Sequence, residues 1–273
     1  MDDLQAQQLF AQEVLQPDPQ IDLAKAALYM GLSEYPNLDV EEYLNSLDTM
    51  AAELQERLPP VSYPLRVIQV INRYLYEDLG FQGNQENYYD PRNSFLNEVI
   101  DRRTGIPISL SLVYLEVARR IDFPMVGIGM PGHFLIRPNV AEMEIFVDPF
   151  NQGEVLFPED CQERLTEVYG RPVALKPEFL QIVTPRQFLI RMLANLKAIY
   201  FNRGDFPRAL ATLDRILLTV PNAPLELRDR GILHFRLNHW NQARQDLETY
   251  LTLMPTAEDK PVIRQLLEQM EPQ

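Results

Sequence analysis

The chain of 273 residues is 46% hydrophobic and 23% charged, a composition typical of a globular protein with a sizeable core. Its formal net charge of −14 argues against a nucleic-acid or anionic-membrane partner. It has one cysteine, Cys161, no run of about 18 apolar residues and no signal-peptide pattern at its start. We therefore expect a cytoplasmic protein without an internal disulfide or a transmembrane helix.

Four helices are predicted in the first 80 residues. Apolar residues at helical spacings predict a helix over residues 3–15, a second from Asp22, and a fourth that Gly80 ends. Before the fourth, Asp39 is followed three residues later by Glu42, which is the capping-box pattern that opens a third helix.

A buried helix is predicted in the middle of the chain. After a break at Thr104 and Gly105, it runs from about Pro107 to Ile121, and proline suits the first helical position. Apolar residues surround most of this helix, as is usual for a helix at the centre of a core. Upstream of it, Ser94 is placed to cap a short helix.

Three short strands are predicted after the buried helix. They lie at 124–130, 133–137 and 144–148, in segments rich in β-branched and aromatic residues. Strands that succeed one another after a group of helices predict an antiparallel sheet and the α+β class. We interpret residues 149–189 as a connection.

The last two strands bring an aspartate close to the one histidine of the first 230 residues. In a symmetric hairpin that pairs Leu135 with Phe146, His133 lies directly opposite Asp148, with Cβ atoms about 4.5–5.5 Å apart. A carboxylate there accepts a hydrogen bond from one imidazole nitrogen and leaves the other as a base. The alternatives are a purely structural pair and a pair that binds a small ligand without chemistry.

A repeat with a period of 34 residues occupies the last part of the chain. The matched positions are Gly204 and Asn238, Phe206 and Trp240, Ala209 and Ala243, Leu213 and Leu247, and Pro221 and Pro255. This pattern resembles the tetratricopeptide repeat, a pair of helices. It predicts two repeats over about 190–257 and places Phe206, Trp240 and His234 in their core.

The composition changes where the repeats begin. Residues 1–60 contain 12 acidic and 2 basic side chains, whereas residues 186–273 contain 10 acidic and 12 basic ones. This change predicts a domain boundary near residues 180–190. We divide the chain into a helical N-terminal part of the core (1–80), an α+β core (81–185) and the repeats (186–273).

Three sequence blocks resemble one known family. They are NSFLNEVIDRRTGIPISLSLVYLEVARR (93–120), GMPGHFLIR (129–137) and FVDPFN (146–151), and they are similar to the SirB type of transglutaminase-like protein in the papain-like superfamily. That type often has C-terminal tetratricopeptide repeats. The resemblance implies a papain/transglutaminase-like core, a buried helix with an antiparallel sheet, in which His133 and Asp148 belong to the site.

The resemblance also implies that the usual nucleophile is missing. In active members of the wider superfamily a Gly-x-Cys motif opens the central helix, whose N-terminus lowers the pKa of the thiol. The matching residues here are Gly105, Ile106 and Pro107. The position of the cysteine therefore holds Pro107, which has no nucleophilic atom.

Three other side chains are considered as substitutes. Ser109, in the first turn of the same helix, would need His133 as its base, but a first-turn serine commonly bonds the local backbone instead. Ser111 faces another side of the helix and is predicted to pack. Cys161 follows two acidic residues, which disfavour its thiolate.

Two functions are compatible with these residues. The first is a protein-binding, scaffold or regulatory protein that binds a protein or peptide partner with its repeats. The alternative is a hydrolase or acyl-transfer enzyme that uses His133 and Asp148 with Ser109 or with a nucleophile supplied by the substrate. We expect no cofactor and no metal, since no nucleotide-binding motif is present and the His–Asp pair supplies only two ligands.

Overall fold

The structure, a computed structural model, describes residues 3–59, 63–140 and 143–270. The chain divides into two compact units, Met1–Met192 and Leu193–Gln273. None of the helices among the described residues is long and apolar enough to cross a membrane.

Four helices open the first unit, as predicted, and Asp39 caps the third. Its carboxylate accepts hydrogen bonds from the backbone N–H groups of Glu41 (3.1 Å) and Glu42 (3.3 Å). These bonds satisfy first-turn donors that have no partner within the helix, so the predicted cap is confirmed. The helices are α1 (Asp3–Val14), α2 (Leu23–Gly31), α3 (Val40–Gln55) and α4 (Pro64–Asn72).

The fourth helix differs from the prediction in its second half. It is α-helical only to Asn72, and Arg73–Asp78 continue as a π-helical turn in which Tyr74 and Leu75 are buried. Turns of this kind are rare and frequently lie beside functional sites. This one directly follows Asn72, whose side chain contacts the candidate site described below.

The buried central helix is present. Two short strands, β1 (Gln82–Gly83) and β2 (Thr104–Gly105), pair in parallel, and α5 (Leu96–Arg102) lies between them in the chain. The helix α6 (Pro107–Arg120) follows, with proline at its first position as predicted. Of its 14 residues 11 are buried, so it is the centre of the first unit.

Ser94 does not cap α5, so that prediction was wrong. The residue before α5 is Phe95, which makes no side-chain capping bond, and Ser94 is buried in a preceding 3₁₀ turn, Pro91–Ser94. Asp90 caps this turn by accepting from the backbone N–H of Arg92 at 3.0 Å. A turn with its own cap thus lies where we expected the helix to begin.

The antiparallel sheet has four strands rather than three. Its order is β3 (Met125–Ile128), β4 (Leu135–Pro138), β5 (Phe146–Asp148) and β6 (Glu154–Leu156). The first three lie in the predicted segments. In contrast, β6 and α7 (Pro158–Tyr169) occupy the segment that we interpreted as a connection.

The pairing of β4 with β5 is shifted by two residues from the predicted one. Ile136 lies opposite Val147, whereas a symmetric hairpin would place it opposite Ile145. Because side chains alternate with a period of two, the shift leaves Leu135 on the same face as Phe146, its partner in the predicted hairpin. Leu135 and Phe146 accordingly share one buried cluster with α7.

The second unit consists of helical hairpins, as the repeat predicts. A Cβ atom at Gly231 would lie 2.8 Å from Cδ2 of Leu247, so the close packing of α10 on α11 requires glycine there. The helices are α8 (Pro185–Arg203), which begins in the first unit, α9 (Phe206–Thr219), α10 (Pro224–Arg236), α11 (Trp240–Leu253) and α12 (Lys260–Gln269).

Trp240 is not a core residue, so its predicted packing was wrong. It is 44% exposed, and its ring meets that of Phe235 edge-on at a centroid distance of 5.3 Å. The matched residue Phe206 is partly buried beneath the guanidinium of Arg236. Trp240 begins α11, at the end of a hairpin, where the neighbouring helix covers only part of its ring.

His234 is buried, as predicted.

We predict that acidification destabilises the repeats through His234. Burial lowers the pKa of His234 below its usual 6.5, and Arg230 and His239 lower it further, against Asp246 and Asp214. The unfolded chain therefore binds this proton more readily. The contribution of neutral His234 to the free energy of unfolding is complete above about pH 6.5. It is lost as the pH falls through the lower pKa that His234 has in the folded protein.

Thermal unfolding between about pH 8 and pH 5 measures this effect, because histidine titrates in that range. The wild-type protein should lose more stability on acidification than His234→Gln. Parallel pH profiles for the two proteins would contradict the prediction.

Candidate functional site

His133 and Asp148 form a buried, hydrogen-bonded pair. Nε2 of His133 lies 2.8 Å from Oδ2 of Asp148, and the two residues are 7% and 0% exposed. His133 lies in the turn before β4, and Asp148 is the last residue of β5, so the structure brings them together despite the shifted register. With Nε2 donating to the carboxylate, Nδ1 is the acceptor, and no described residue hydrogen-bonds it.

The carboxylate of Asp148 also organises the chain that follows it. Oδ1 accepts from the backbone N–H groups of Phe150 (3.1 Å) and Asn151 (3.3 Å), and Oδ2 accepts from Nδ2 of Asn151 (2.8 Å). Nε of Arg164, on α7, lies 3.4 Å from Oδ2 in an ion pair without hydrogen-bond geometry. Asp148 therefore caps the 3₁₀ turn Pro149–Asn151 while it binds the imidazole.

The surroundings of Asp148 favour its ionised form. Burial is the largest influence and acts to raise the pKa of Asp148. The hydrogen bond and charge of His133, the amide of Asn151 and the charge of Arg164 together outweigh burial, so the pKa is lowered. The core thus holds an anion that can stabilise positive charge on the imidazole.

Asn72 supports the same turn from the other side. Its Nδ2 donates to the carbonyl of Gly153 (2.6 Å), and its Oδ1 accepts from the hydroxyl of Tyr114 on α6 (3.0 Å). Gly153 has a φ of +73°, and a Cβ atom there would lie 2.1 Å from Oδ1 of Asn72. Asn72, the last residue of α4, therefore holds the chain that follows Asp148. This contact requires glycine at position 153.

An aromatic wall flanks His133. The ring of Phe150 meets the imidazole edge-on at a centroid distance of 6.1 Å, and Tyr88 meets Phe150 at 6.0 Å. Gly83 of β1 makes room for Phe150, since a Cβ atom there would lie 2.7 Å from the ring. The exposed Tyr89 continues the row beside Tyr88.

A polar cleft of about 580 Å³ lies beside this wall. The lining residues are five with amide side chains and four others: Gln82, Asn84, Gln85, Asn151, Gln152, Gly83, Glu86, Thr104 and Phe150. Asn151 also bonds Asp148, so this one side chain connects the cleft to the His–Asp pair. Amide groups offer both donors and acceptors, and Glu86 adds a carboxylate acceptor, so the lining suits a polar ligand with hydrogen-bond donors.

Ser109 is committed to the backbone at the start of α6. Its Oγ accepts from the backbone N–H of Ile106 (3.0 Å) and donates to the carbonyl of Asn93 (2.6 Å). It is fully buried, and none of its hydrogen bonds is with His133. Gly105 provides space for this bond network, because a Cβ atom there would lie 2.7 Å from Oγ.

Pro107 and the two other substitutes considered for the nucleophile are also enclosed. Pro107 is the buried first residue of α6, and Ser111 is buried in the same helix. Cys161 on α7 is fully buried, and burial, with Asp160 and Asp148, raises the pKa of its thiol to about 12. The thiol is therefore uncharged at neutral pH, as the sequence predicts.

Sequence reasoning missed the partners of the pair, for two different reasons. Asn151 had a local signal, since an aspartate three residues before an asparagine favours a capped turn. Arg164 and Asn72 had none, because each reaches the site from an element distant in the chain. Among the described residues, no group of three histidine, cysteine or acidic side chains forms a metal site.

Two family models match the chain. The transglutaminase-like superfamily matches residues 41–194, and the tetratricopeptide repeat matches residues 196–268. The chain belongs to the transglutaminase-like superfamily. The resemblance to the SirB type with C-terminal repeats is thus confirmed, and so is the α+β class.

Several known proteins are similar to this chain. A UPF0162 protein of Xylella fastidiosa (strain 9a5c) is 41% identical over 251 residues, which are 90% of this chain and 89% of that protein. The UPF0162 protein YchA of Escherichia coli is 28% identical over 85% of both chains. Human F-box only protein 21 is 30% identical over 76% of this chain but only 32% of its own length. No solved structure matches.

We predict that Asp148→Asn destabilises this transglutaminase-like core by about 2–4 kcal/mol. Both oxygens of the Asp148 carboxylate accept hydrogen bonds, and in asparagine one of them becomes an NH₂ group. That NH₂ group would face the N–H donors that now bond the carboxylate. Chemical denaturation of the two proteins measures the difference in free energy of unfolding.

Asp90→Asn is the matched control. Asp90 also caps a 3₁₀ turn, but its ion pair with Arg92 is half-exposed and should contribute no more than about 1 kcal/mol. Equal losses for the two variants would show that Asp148 acts only as a cap.

Proposed function

We propose that this chain is a protein-binding scaffold or regulatory protein. In this proposal the repeats bind a protein or peptide partner, and the transglutaminase-like core no longer acts as a thiol enzyme. The cytoplasmic location and the division of the chain at residues 80 and 185 remain predictions.

The observation that carries the proposal is the start of α6. In a cysteine enzyme of this superfamily the nucleophile would stand there, but Pro107 has no reactive atom and Ser109 holds the local backbone. Cys161 is buried and protonated. None of the three supplies an activated nucleophile to His133.

The repeats supply the binding surface in this proposal. Ion pairs join their helices: Arg230 on α10 contacts Asp214 on α9 (2.9 Å) and Asp246 on α11 (2.7 Å). Leu225 and Val262, near the starts of α10 and α12, are 53% and 59% exposed. Tetratricopeptide repeats stack into surfaces that bind partners, and exposed apolar side chains on such a surface favour protein association.

The second candidate is an enzyme whose substrate supplies the nucleophile. The geometry of the pair favours it: Asp148 binds Nε2 of His133, and Nδ1 is left as an acceptor beside Phe150. An imidazole in this state can take a proton from a bound thiol or hydroxyl. The adjacent polar cleft gives such a ligand space.

We predict that the folded protein resists covalent probes of both chemical classes. Neither a fluorophosphonate nor iodoacetamide should add mass to Ser109 or Cys161, because both side chains are fully buried. Mass spectrometry of the treated protein measures this. Unfolded protein, in which iodoacetamide labels Cys161, is the positive control, and labelling of Ser109 that disappears in His133→Ala would instead support a serine enzyme.

We also predict that partner binding depends on the repeats. The full-length variant Leu225→Asp/Val262→Asp should lose the partners that the wild-type chain captures from cells of its source organism. The matched control, Leu4→Asp/Leu15→Asp, changes two exposed leucines at the N-terminal end and should retain them.

The comparison separates the two candidate functions. If the repeat variant retains the partners and His133→Ala loses them, the partners bind the core rather than the repeats. Capture of no specific partner, together with turnover that depends on His133, would support the enzyme.

A further inference from the structure

The position of His133 is not fixed by the sheet alone. His133 lies in a turn before β4, where its backbone N–H donates to the carbonyl of Met130 at 3.2 Å. Gly132, within the turn, has a φ of +72°, which favours glycine. A turn of this kind needs further contacts to hold one side chain in one orientation.

Arg191 of α8 supplies these contacts. Its Nη1 donates to the carbonyl of Gly129 (2.7 Å), and its Nη2 donates to the carbonyls of Met130 (2.9 Å) and His133 (3.0 Å). The guanidinium also lies over the ring of Phe134, 5.3 Å from its centroid. A planar group with five N–H donors suits several carbonyls in a fixed arrangement.

The turn is shaped to receive this arginine. A Cβ atom at Gly129 would lie 2.8 Å from Nη1 of Arg191, so the missing side chain leaves space for the guanidinium. Among the described residues no carboxylate lies within ion-pair distance of Arg191. The hydrogen bonds of this half-buried cation therefore go to the turn carbonyls alone.

We propose that Arg191 is the positioning residue of the His–Asp pair. It holds the 129–133 turn so that Nε2 of His133 meets Asp148 and Nδ1 has no hydrogen-bond partner among the described residues. The inference rests on the proposed function only in treating His133 as the ligand-facing group of the core, and it applies equally to ligand binding and to proton transfer.

The same helix offers a matched control. Arg186 also bonds main-chain carbonyls, those of Val14 (2.7 Å) and Gln16 (2.9 Å), and it lies near Asp18. These contacts fasten α8 to the N-terminal segment rather than to the His133 turn. A substitution at Arg186 therefore removes similar hydrogen bonds from α8 without removing any contact with the His133 turn.

The test follows the imidazole by NMR in full-length protein. The Nε2 proton of His133, assigned by its absence in His133→Asn, should exchange slowly with water in the wild-type chain. In Arg191→Ala its exchange should accelerate by at least about tenfold, the change expected from the loss of one hydrogen bond from a charged group. Arg191→Lys keeps the positive charge but lacks the planar set of N–H donors. It should therefore recover only part of the protection of the His133 proton against exchange.

The controls make the outcome specific to His133. Arg186→Ala should leave the exchange rate of this proton near the wild-type value. Unchanged protection in Arg191→Ala, or equal losses in the Arg186 and Arg191 variants, would overturn the proposal.

A second variant covers the case in which Arg191→Ala does not fold. Gly129→Ala places a methyl group 2.8 Å from Nη1 of Arg191 and 2.7 Å from Cγ1 of Val183, so it should displace the guanidinium and accelerate the same exchange while Arg191 is still present. Normal protection in this variant would also count against the proposal. These readouts require no partner, so failure to find one would affect the proposed function and leave this inference intact.

Discussion

A single buried carboxylate, that of Asp148, joins the parts of the candidate site. It accepts from the imidazole of His133, from two backbone N–H groups of the following turn and from the amide of Asn151, and it faces the charge of Arg164. Removing an anion from water is costly unless such partners replace the solvent. The strand end, the turn and α7 are thus held together by the need to satisfy one charge.

The start of α6, where the resemblance predicts the rest of the site, has a different physical character. At the start of α6, where the resemblance predicts the usual cysteine, stands Pro107, and the hydroxyl of Ser109 joins the backbone of Ile106 to that of Asn93. These residues favour a stable helix terminus over a reactive one. A complete His–Asp pair beside an unreactive helix end is the arrangement that our proposed function has to explain.

The two units use charge in different ways. In the first unit, the carboxylate next to His133 is buried, and the guanidinium of Arg191 binds carbonyls rather than a carboxylate. In the second unit, Arg230 and Lys197 each contact two acidic side chains and join neighbouring helices. Charge near the candidate site therefore orients a side chain, whereas charge in the repeats stabilises a stack.

The sequence by itself determined what depends on neighbouring residues or on a regular period. It predicted the cap at Asp39, the buried helix behind Pro107, the faces of the strands and the 34-residue repeat. Only the tertiary structure decided the hairpin register and the contacts of Arg164 and Arg191 with the His133–Asp148 pair. Those contacts join elements far apart in the chain, and their geometry depends on how whole helices pack, which no local pattern encodes.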